Sequence, residues 1–351
     1  MTMTQLANGS RKCNEKDTLM ESVDVRRARL ETWLVEKVNV RSLSFQAILG
    51  DASFRRYFRI YTPEGSFIAM DAPPDQQNSA SYISIGKALR MIGLKTPEVI
   101  AADLLEGFLL ISDFGDLTYL KVLTAQNANE LYINALTNLF QMQGCHHVPD
   151  YVVPQFTAKI MWQEWRDYQT WFVQRYLDAS IENLDACFSI LVESAVDQPQ
   201  VFMHRDYHSN NLMLLPNNEM GILDFQDAFI GPVTYDLVSL LRDCYVQWPE
   251  DDIKAWVLYF WEKRFGRSGS INQEQFLRYF DLMGIERHLK ALFTFARKAI
   301  RDHQPTYLRF VPRTLHYLQT VSARYPELVP LSNHIRRMTQ LSEEKLLNCA
   351  S

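Results

Sequence analysis

The stretch from His204 to Asp236 constrains this chain more than any other. It sets Asp206 within His204-Arg205-Asp206, Asn211 five residues later, and Asp224 thirteen beyond that, at the end of the apolar run Gly221-Ile222-Leu223. Residues 211–215 and 220–223 read as two short strands about the turn Pro216-Asn217-Asn218. A hairpin there returns Asp224 to the side of Asn211. Any fold for this chain has to deliver these three oxygen-bearing side chains to one place.

Phosphoryl transfer asks for such a set. An aspartate receives or orients the proton of an attacking hydroxyl. Magnesium is a hard ion that prefers oxygen ligands and takes only one or two of them from the protein. Asp206 suits the first role, and Asn211 and Asp224 suit the second. Taken singly, each has an ordinary use as a loop cap or a strand end. The spacing of all three, with a hairpin between, points to chemistry.

With 351 residues, 47% of them hydrophobic and 22% charged, the chain can bury one large core or two moderate ones. A net charge of −5 argues against a dedicated nucleic-acid binder. No apolar run is long enough to span a bilayer. Residues 1–19 lack the apolar segment of a signal peptide; residues 1–21 read as a disordered leader, with Met20 as an alternative start. The five cysteines are scattered and none forms a C-x-x-C pair, which fits free thiols in a reducing cytoplasm.

Taken in order, residues 22–38 carry an apolar stripe of helical period. Strands are expected over 54–60 and 67–70, joined by Pro63-Glu64-Gly65 and preceded by the turn Gly50-Asp51. This hairpin could fold over nucleotide phosphates, with Ser53 and backbone N–H groups facing them. Pro73-Pro74 breaks the chain; a helix then runs from Asn78 or Ser79 to Ile92, ended by Gly93. Strands over 99–102 and 108–111, joined across Glu106-Gly107, complete a small α+β unit over 22–114. Asp113-Phe114-Gly115 has the spelling of a metal-binding motif but precedes Asp206 by 93 residues. It suits a hinge, where the backbone of Ser112, Asp113 and Phe114 could meet an adenine edge.

From residue 115 the pattern is mainly helical. Asn127 and Glu130 have the spacing of a capping box. His146-His147 lacks a nearby cysteine or carboxylate cluster and reads as a loop. The aromatic run over 158–177 is mostly core, with one or two rings free to line a sugar pocket. Asp236 opens a helix ended by Trp248-Pro249, and further helices are expected over 255–265, 273–283, 287–299, 312–323 and 333–348. Arg297, Lys298 and Arg301 read as a solvated basic face.

The stretch 204–224, followed by Gly231-Pro232 and Tyr235-Asp236-Leu237, resembles the aminoglycoside phosphotransferase and choline kinase-like superfamily, small-molecule relatives of protein kinases. Only twelve residues separate Asp224 from Asp236 and no A-P-E motif follows, so there is no room for an activation loop and a protein substrate is not expected. Within that superfamily, residues 50–59, 70–74, 204–209, 223–228, 235–245, 295–297 and 323–328 are similar to the bacterial anomeric kinases of N-acetylmuramate and N-acetylglucosamine, which serve peptidoglycan recycling. The resemblance implies a bilobal protein-kinase-like α+β fold, with a β-rich N-lobe over 22–114 and a mainly helical C-lobe over 115–351. It implies a cytoplasmic enzyme that uses ATP and Mg2+ to phosphorylate the anomeric hydroxyl of a small sugar. Asp206 would then be the base, with Asn211 and Asp224 on the metal. Ser53, Arg55, Arg56, Ser112, Asp113 and Phe114 would lie at the nucleotide, and Glu164, Trp165, His208 and Arg242 around the sugar.

One departure stands out. Kinases generally carry a phosphate-binding lysine on the third strand, and here that strand ends Ile68-Ala69-Met70-Asp71. Arg55, Arg56 and Arg59 are candidate replacements, of which only a subset can face inward and the others would be surface charges. A lactyl carboxylate on the acceptor would favour an arginine, and Arg166, Arg175 and Arg242 are candidates. A kinase of choline or aminoglycoside type, and a nucleotide-binding pseudokinase, are the competing readings.

Overall fold

Between residues 44 and 112, short runs of aromatic and β-branched residues alternate with turn residues and fold as one antiparallel sheet. The structure is a computed structural model that describes residues 15–40, 44–48, 55–77 and 79–350. The sheet has the order β1-β2-β3-β5-β4, from β1 (Ser44–Ile48), β2 (Arg56–Thr62), β3 (Gly65–Asp71), β4 (Val99–Asp103) and β5 (Phe108–Ser112). The edge strand β1 is largely exposed and lacks alternation, so its pattern gave no strand signal. Contacts divide the chain into two units, residues 1–79 with 99–113, and residues 80–98 with 114–351. The first helix, α1, runs over Glu15–Glu36 and thus starts seven residues before the expected 22. Ser53 and the turn at Gly50-Asp51 lie outside the described residues.

In the first unit α1 lays Leu30, Trp33 and Leu34 against Phe58, Ile60, Ala69, Phe108 and Leu110. The fully buried Asp71 carboxylate is the polar centre of this unit. Arg56, its cross-strand partner, donates to it, and Arg26 of α1 donates through Nε at 3.0 Å. Arg26 also reaches the Glu106 carbonyl at 2.7 Å, which fastens the helix to the β4–β5 turn. Arg59 pairs with Asp113 at 2.6 Å, and Arg55 is buried. The arginines offered as surface charges are therefore inside or half inside. Arg56 and Arg59 neutralise carboxylates of their own sheet, because a charge buried there needs a partner.

Gly107 closes the β4–β5 turn at φ +75°, and a Cβ there would stand 1.9 Å from the Ala72 carbonyl oxygen. Gly107→Ala is expected to lower stability by about 3 kcal/mol, from left-handed strain plus the clash. Chemical denaturation that shows a loss below about 1 kcal/mol would contradict this placement.

In the second unit, α2 (Ser79–Met91) ends before Gly93 at φ +87°. It is followed by α3 (Tyr119–Val122), α4 (Ala128–Met142), α5 (Ala158–Asp167), a π-helical segment (Tyr168–Tyr176) and α6 (Asp185–Asp197). Two small antiparallel pairs come next: β6 (Gln200–Met203) with β9 (Phe229–Pro232), and β7 (Leu212–Leu214) with β8 (Met220–Ile222). Helices α7 (Tyr235–Leu241), α8 (Glu250–Phe265), α9 (Gln273–Ile300), α10 (Val311–Ser322) and α11 (Val329–Ala350) complete it. No helix among the described residues is long and apolar enough to cross a membrane.

Three expectations are corrected here. The helices expected over 273–283 and 287–299 are one 28-residue helix, α9, because Gly284 does not break it. That glycine instead gives room to Arg242, whose Nη1 would lie 3.4 Å from a Cβ. The Asn127 side chain does not cap α4; it accepts from the Thr124 N–H at 2.7 Å and donates to the Val122 carbonyl. Helix α7 stops at Leu241, well before Trp248. The Asp243 carboxylate is then free to take up loop N–H groups.

Candidate active site

Strand β6 ends at Met203, and the next three residues turn sharply under the control of one buried carboxylate. Asp236, at the start of α7, accepts the backbone N–H of His204 at 2.7 Å and that of Arg205 at 3.0 Å. Arg205 adopts φ +78°, a conformation that costs a non-glycine residue about 1–3 kcal/mol unless its surroundings enforce it. The His204 ring is fully buried, with Nε2 at 2.8 Å from the Leu223 carbonyl and Nδ1 at 3.3 Å from the Asp206 N–H. Nε2 therefore carries the proton and Nδ1 accepts. One imidazole thus links the loop bearing Asp206 to the residue before Asp224.

The remaining anchors come from two helices and the loop after α7. The Tyr207 hydroxyl donates to the Ala135 carbonyl of α4 at 2.9 Å. Ser209 donates to Asp243 through its N–H at 3.0 Å and its hydroxyl at 2.5 Å. The buried Phe225 ring lies 4.8 Å from Tyr82 of α2 and against Gly86, where a Cβ would meet it at 3.1 Å.

The hairpin forms at the expected residues. Leu212 pairs with Ile222 and Leu214 with Met220, and the Leu223 N–H donates to the Asn211 carbonyl at 2.9 Å. Asn217 and Asn218 take φ +61° and +58° in the turn, which asparagine tolerates. Asn211 and Asp224 thus flank the last rung of the ladder. The Asn211 amide nitrogen donates to the Asp206 carbonyl at 3.0 Å, which leaves the amide oxygen for a cation. Asp224, at φ +61°, is exposed and receives Gln226 Nε2 on one carboxylate oxygen at 2.7 Å. Its second oxygen and the Asn211 oxygen are donors of the kind magnesium takes.

Asp206 keeps 38% of its side chain exposed and lines a cavity of about 250 Å³. Arg287 Nη2 lies 3.6 Å and Lys290 Nζ 3.8 Å from its Oδ1. Burial works to raise the Asp206 pKa, but Lys290, Arg287, His208 and Arg205 outweigh it and hold the carboxyl well below its usual range. Such a group is a weak base that orients a hydroxyl better than it deprotonates one. Burial pushes Asp236 the other way, up to about 6, against His204 and the two N–H donors.

The other expected residues divide. His208 lines the cavity, and burial lowers its pKa against the pull of Asp243 and Asp206. Glu164 pairs with Arg205 at 3.6 Å. Trp165 is only 2% exposed, with Tyr168 and Phe188 stacked against it at 5.4 and 5.0 Å, so it has no face to offer a sugar. Arg242 is buried and bound to Asp281 at 2.8 Å and Glu250 at 3.3 Å. Arg166 and Arg175 are exposed, the latter over Trp171. Asp113 is taken by Arg59, and Phe114 packs against Gly221. Sequence reasoning missed Arg287 and Lys290, which lie more than eighty residues from Asp206 on a helix with no motif of its own. It also missed Glu286, whose pKa is pushed up by burial and by the neighbouring Glu164.

Because Asp236 has a raised pKa, its contribution to stability is whole below the ordinary carboxyl range. It is lost as pH rises through about 6. The loss is on the order of 3 kcal/mol. Carboxyl NMR should show one buried aspartate titrating near 6 that disappears in Asp236→Asn, whereas Asp206 stays ionised there. An Asp206 that titrates above about 5 would contradict the charge balance described.

Residues 44–268 match the phosphotransferase enzyme family. The chain is 41% identical over 300 residues to the N-acetylmuramate/N-acetylglucosamine kinase of Pseudomonas aeruginosa, covering 84% of this chain and 88% of that one. It is 37% identical over 337 residues to the protein of that name from Pseudomonas putida, covering 91% and 98%. Among solved structures, choline kinase LicA from Streptococcus pneumoniae superposes with a TM-score of 0.59 at 12% identity, over 84% of this chain and 99% of that one, a likeness of fold. With its five-stranded sheet, its helical second unit and these relatives, the chain belongs to the phosphotransferase enzyme family of protein-kinase-like α+β fold and is a phosphotransferase that acts on a hydroxyl group.

Proposed function

We propose that the protein transfers the γ-phosphate of ATP, with magnesium, to the anomeric hydroxyl of an N-acetylated amino sugar, N-acetylmuramate or N-acetylglucosamine, and does so in the cytoplasm. The observation that carries the chemistry is the joining of Asp206, Asn211 and Asp224 through the His204 bridge and the β7–β8 hairpin. The substrate class rests on the names of the relatives at 41% and 37% identity.

In this reading the acceptor hydroxyl donates to Asp206. That carboxylate fixes the direction of attack and takes the proton as the bond to phosphorus forms. Its low basicity suits an anomeric hydroxyl, which the ring oxygen makes more acidic than an ordinary alcohol. The Asn211 amide oxygen and the Asp224 carboxylate hold magnesium, which when bound offsets the charge on the transferring phosphate. Arg287 and Lys290 keep Asp206 ionised and add positive charge beside the reacting oxygens. The cavity wall also disfavours a choline or aminoglycoside acceptor. Arg205, Arg242, Arg287, Lys290 and Arg297 line it against Asp206, Asp227 and Asp243, a positive surplus that repels a cation.

ATP consumption by the purified protein is expected with the N-acetylated sugars and not with choline or kanamycin; turnover confined to the cationic acceptors would reject the reading. Asp206→Asn should lower kcat about 10³-fold while nucleotide affinity stays within a few-fold. Near-normal kcat in that variant would remove Asp206 from its role. Asp224→Ala should shift the magnesium concentration needed for half-maximal rate upward by about tenfold or more. An unchanged magnesium dependence would exclude it as a ligand.

A further inference from the structure

We propose that Arg297 binds a carboxylate on the acceptor, in the same cavity that holds Asp206. The proposal rests on the phosphotransfer reading above and adds the contact that tells an acidic amino sugar from a neutral one.

Helix α9 places Arg287, Lys290, Thr294 and Arg297 at steps of three, four and three, which puts them on one helical face. All four line the cavity. Most cations of its wall already have partners: Arg205 has Glu164 at 3.6 Å, Arg242 has Asp281 at 2.8 Å, and Arg287 and Lys290 have Asp206 at 3.6 and 3.8 Å. Arg297 differs. Among the described residues it makes no ion pair, and its buried Nε, like those of Arg205 and Arg242, has no hydrogen-bond partner. Its guanidinium lies by the Phe293 ring at 5.4 Å, and the nearby Asp302 carboxylate is held by Arg301.

A half-buried guanidinium with an unused donor is costly to keep without a partner. Burial and the neighbouring Arg301 act against its charge and outweigh the more distant Asp167, Asp302 and Glu164, none of which pairs with it. A ligand carboxylate would remove that cost, because the planar fork matches a carboxylate with two parallel hydrogen bonds. The spacing fits one small acceptor. Lys290, which marks Asp206, and Arg297 are seven residues apart, or about 10 Å along the helix. Both residues line one cavity of about 250 Å³, the size of site in which a single sugar meets both walls. The sequence pattern had assigned Arg297 to a solvated face, and Arg166, Arg175 and Arg242 to the acid. The first two are exposed and the third is paired.

The test measures kcat/KM for N-acetylmuramate, its methyl ester and N-acetylglucosamine on the full-length wild-type protein, Arg297→Ala and Arg297→Lys. The ratio of N-acetylmuramate to N-acetylglucosamine should fall about 10- to 100-fold in Arg297→Ala and recover in part in Arg297→Lys. Esterification should cost the wild type a similar factor and cost Arg297→Ala little further. An unchanged ratio in Arg297→Ala, or an ester as good as the acid on the wild type, would overturn the proposal and leave the kinase reading in place. The ester comparison on the wild type decides even if Arg297→Ala does not fold. Failure of the wild type to phosphorylate either sugar would instead bring down the underlying reading, and this proposal with it.

Discussion

The loop that carries Asp206 depends on one buried anion. Asp236 gathers two consecutive backbone N–H groups, and without it Arg205 would have no reason to hold φ +78°. The cost is visible in its raised pKa, and the return is geometry. Asp206 leaves the loop at a fixed angle, and the His204 ring carries the same order across to the carbonyl beside Asp224. Two strained residues, Arg205 and Asp224, are thus held by a carboxylate and an imidazole that take no part in the chemistry themselves. Alanine at either would remove no contact to a substrate and still disperse the site.

Much of this was legible in the sequence because it is local. The β7–β8 hairpin follows from a Pro-Asn-Asn turn between two short apolar runs, and the turn needs residues that accept positive φ. The strands of the first unit follow from short apolar runs between turn residues, apart from the exposed edge. What was not legible is long-range. Helix α9 looked broken at Gly284, yet it runs on through Glu286, Arg287 and His288, all of them buried. The partners of Arg287 and His288, which are Ser239, Asp206 and the Arg242 carbonyl, lie 46 or more residues away along the chain. Trp165 looked like a sugar platform because aromatic density alone does not say which faces are covered. The stacking of Tyr168 and Phe188 does.

The same long-range packing sets the electrostatic character of the cavity. In the proposed function, a helix that contributes Arg287, Lys290 and Arg297 to one wall gives the cavity a positive surplus suited to an anionic or neutral acceptor. It also keeps Asp206 ionised and weakly basic. In the proposed function, catalysis rests on orientation and on charge offset more than on proton abstraction, as an acceptor hydroxyl acidic for an alcohol allows.

In the function proposed, this loop directs phosphate to the anomeric oxygen of an N-acetylated amino sugar. The decisive measurement is phosphorus NMR of the product formed from ATP, magnesium and N-acetylmuramate or N-acetylglucosamine. The expected product gives a resonance coupled to the anomeric proton, as a sugar 1-phosphate does. A phosphate coupled to the C6 protons, or one formed only on an amine-bearing acceptor, would contradict it.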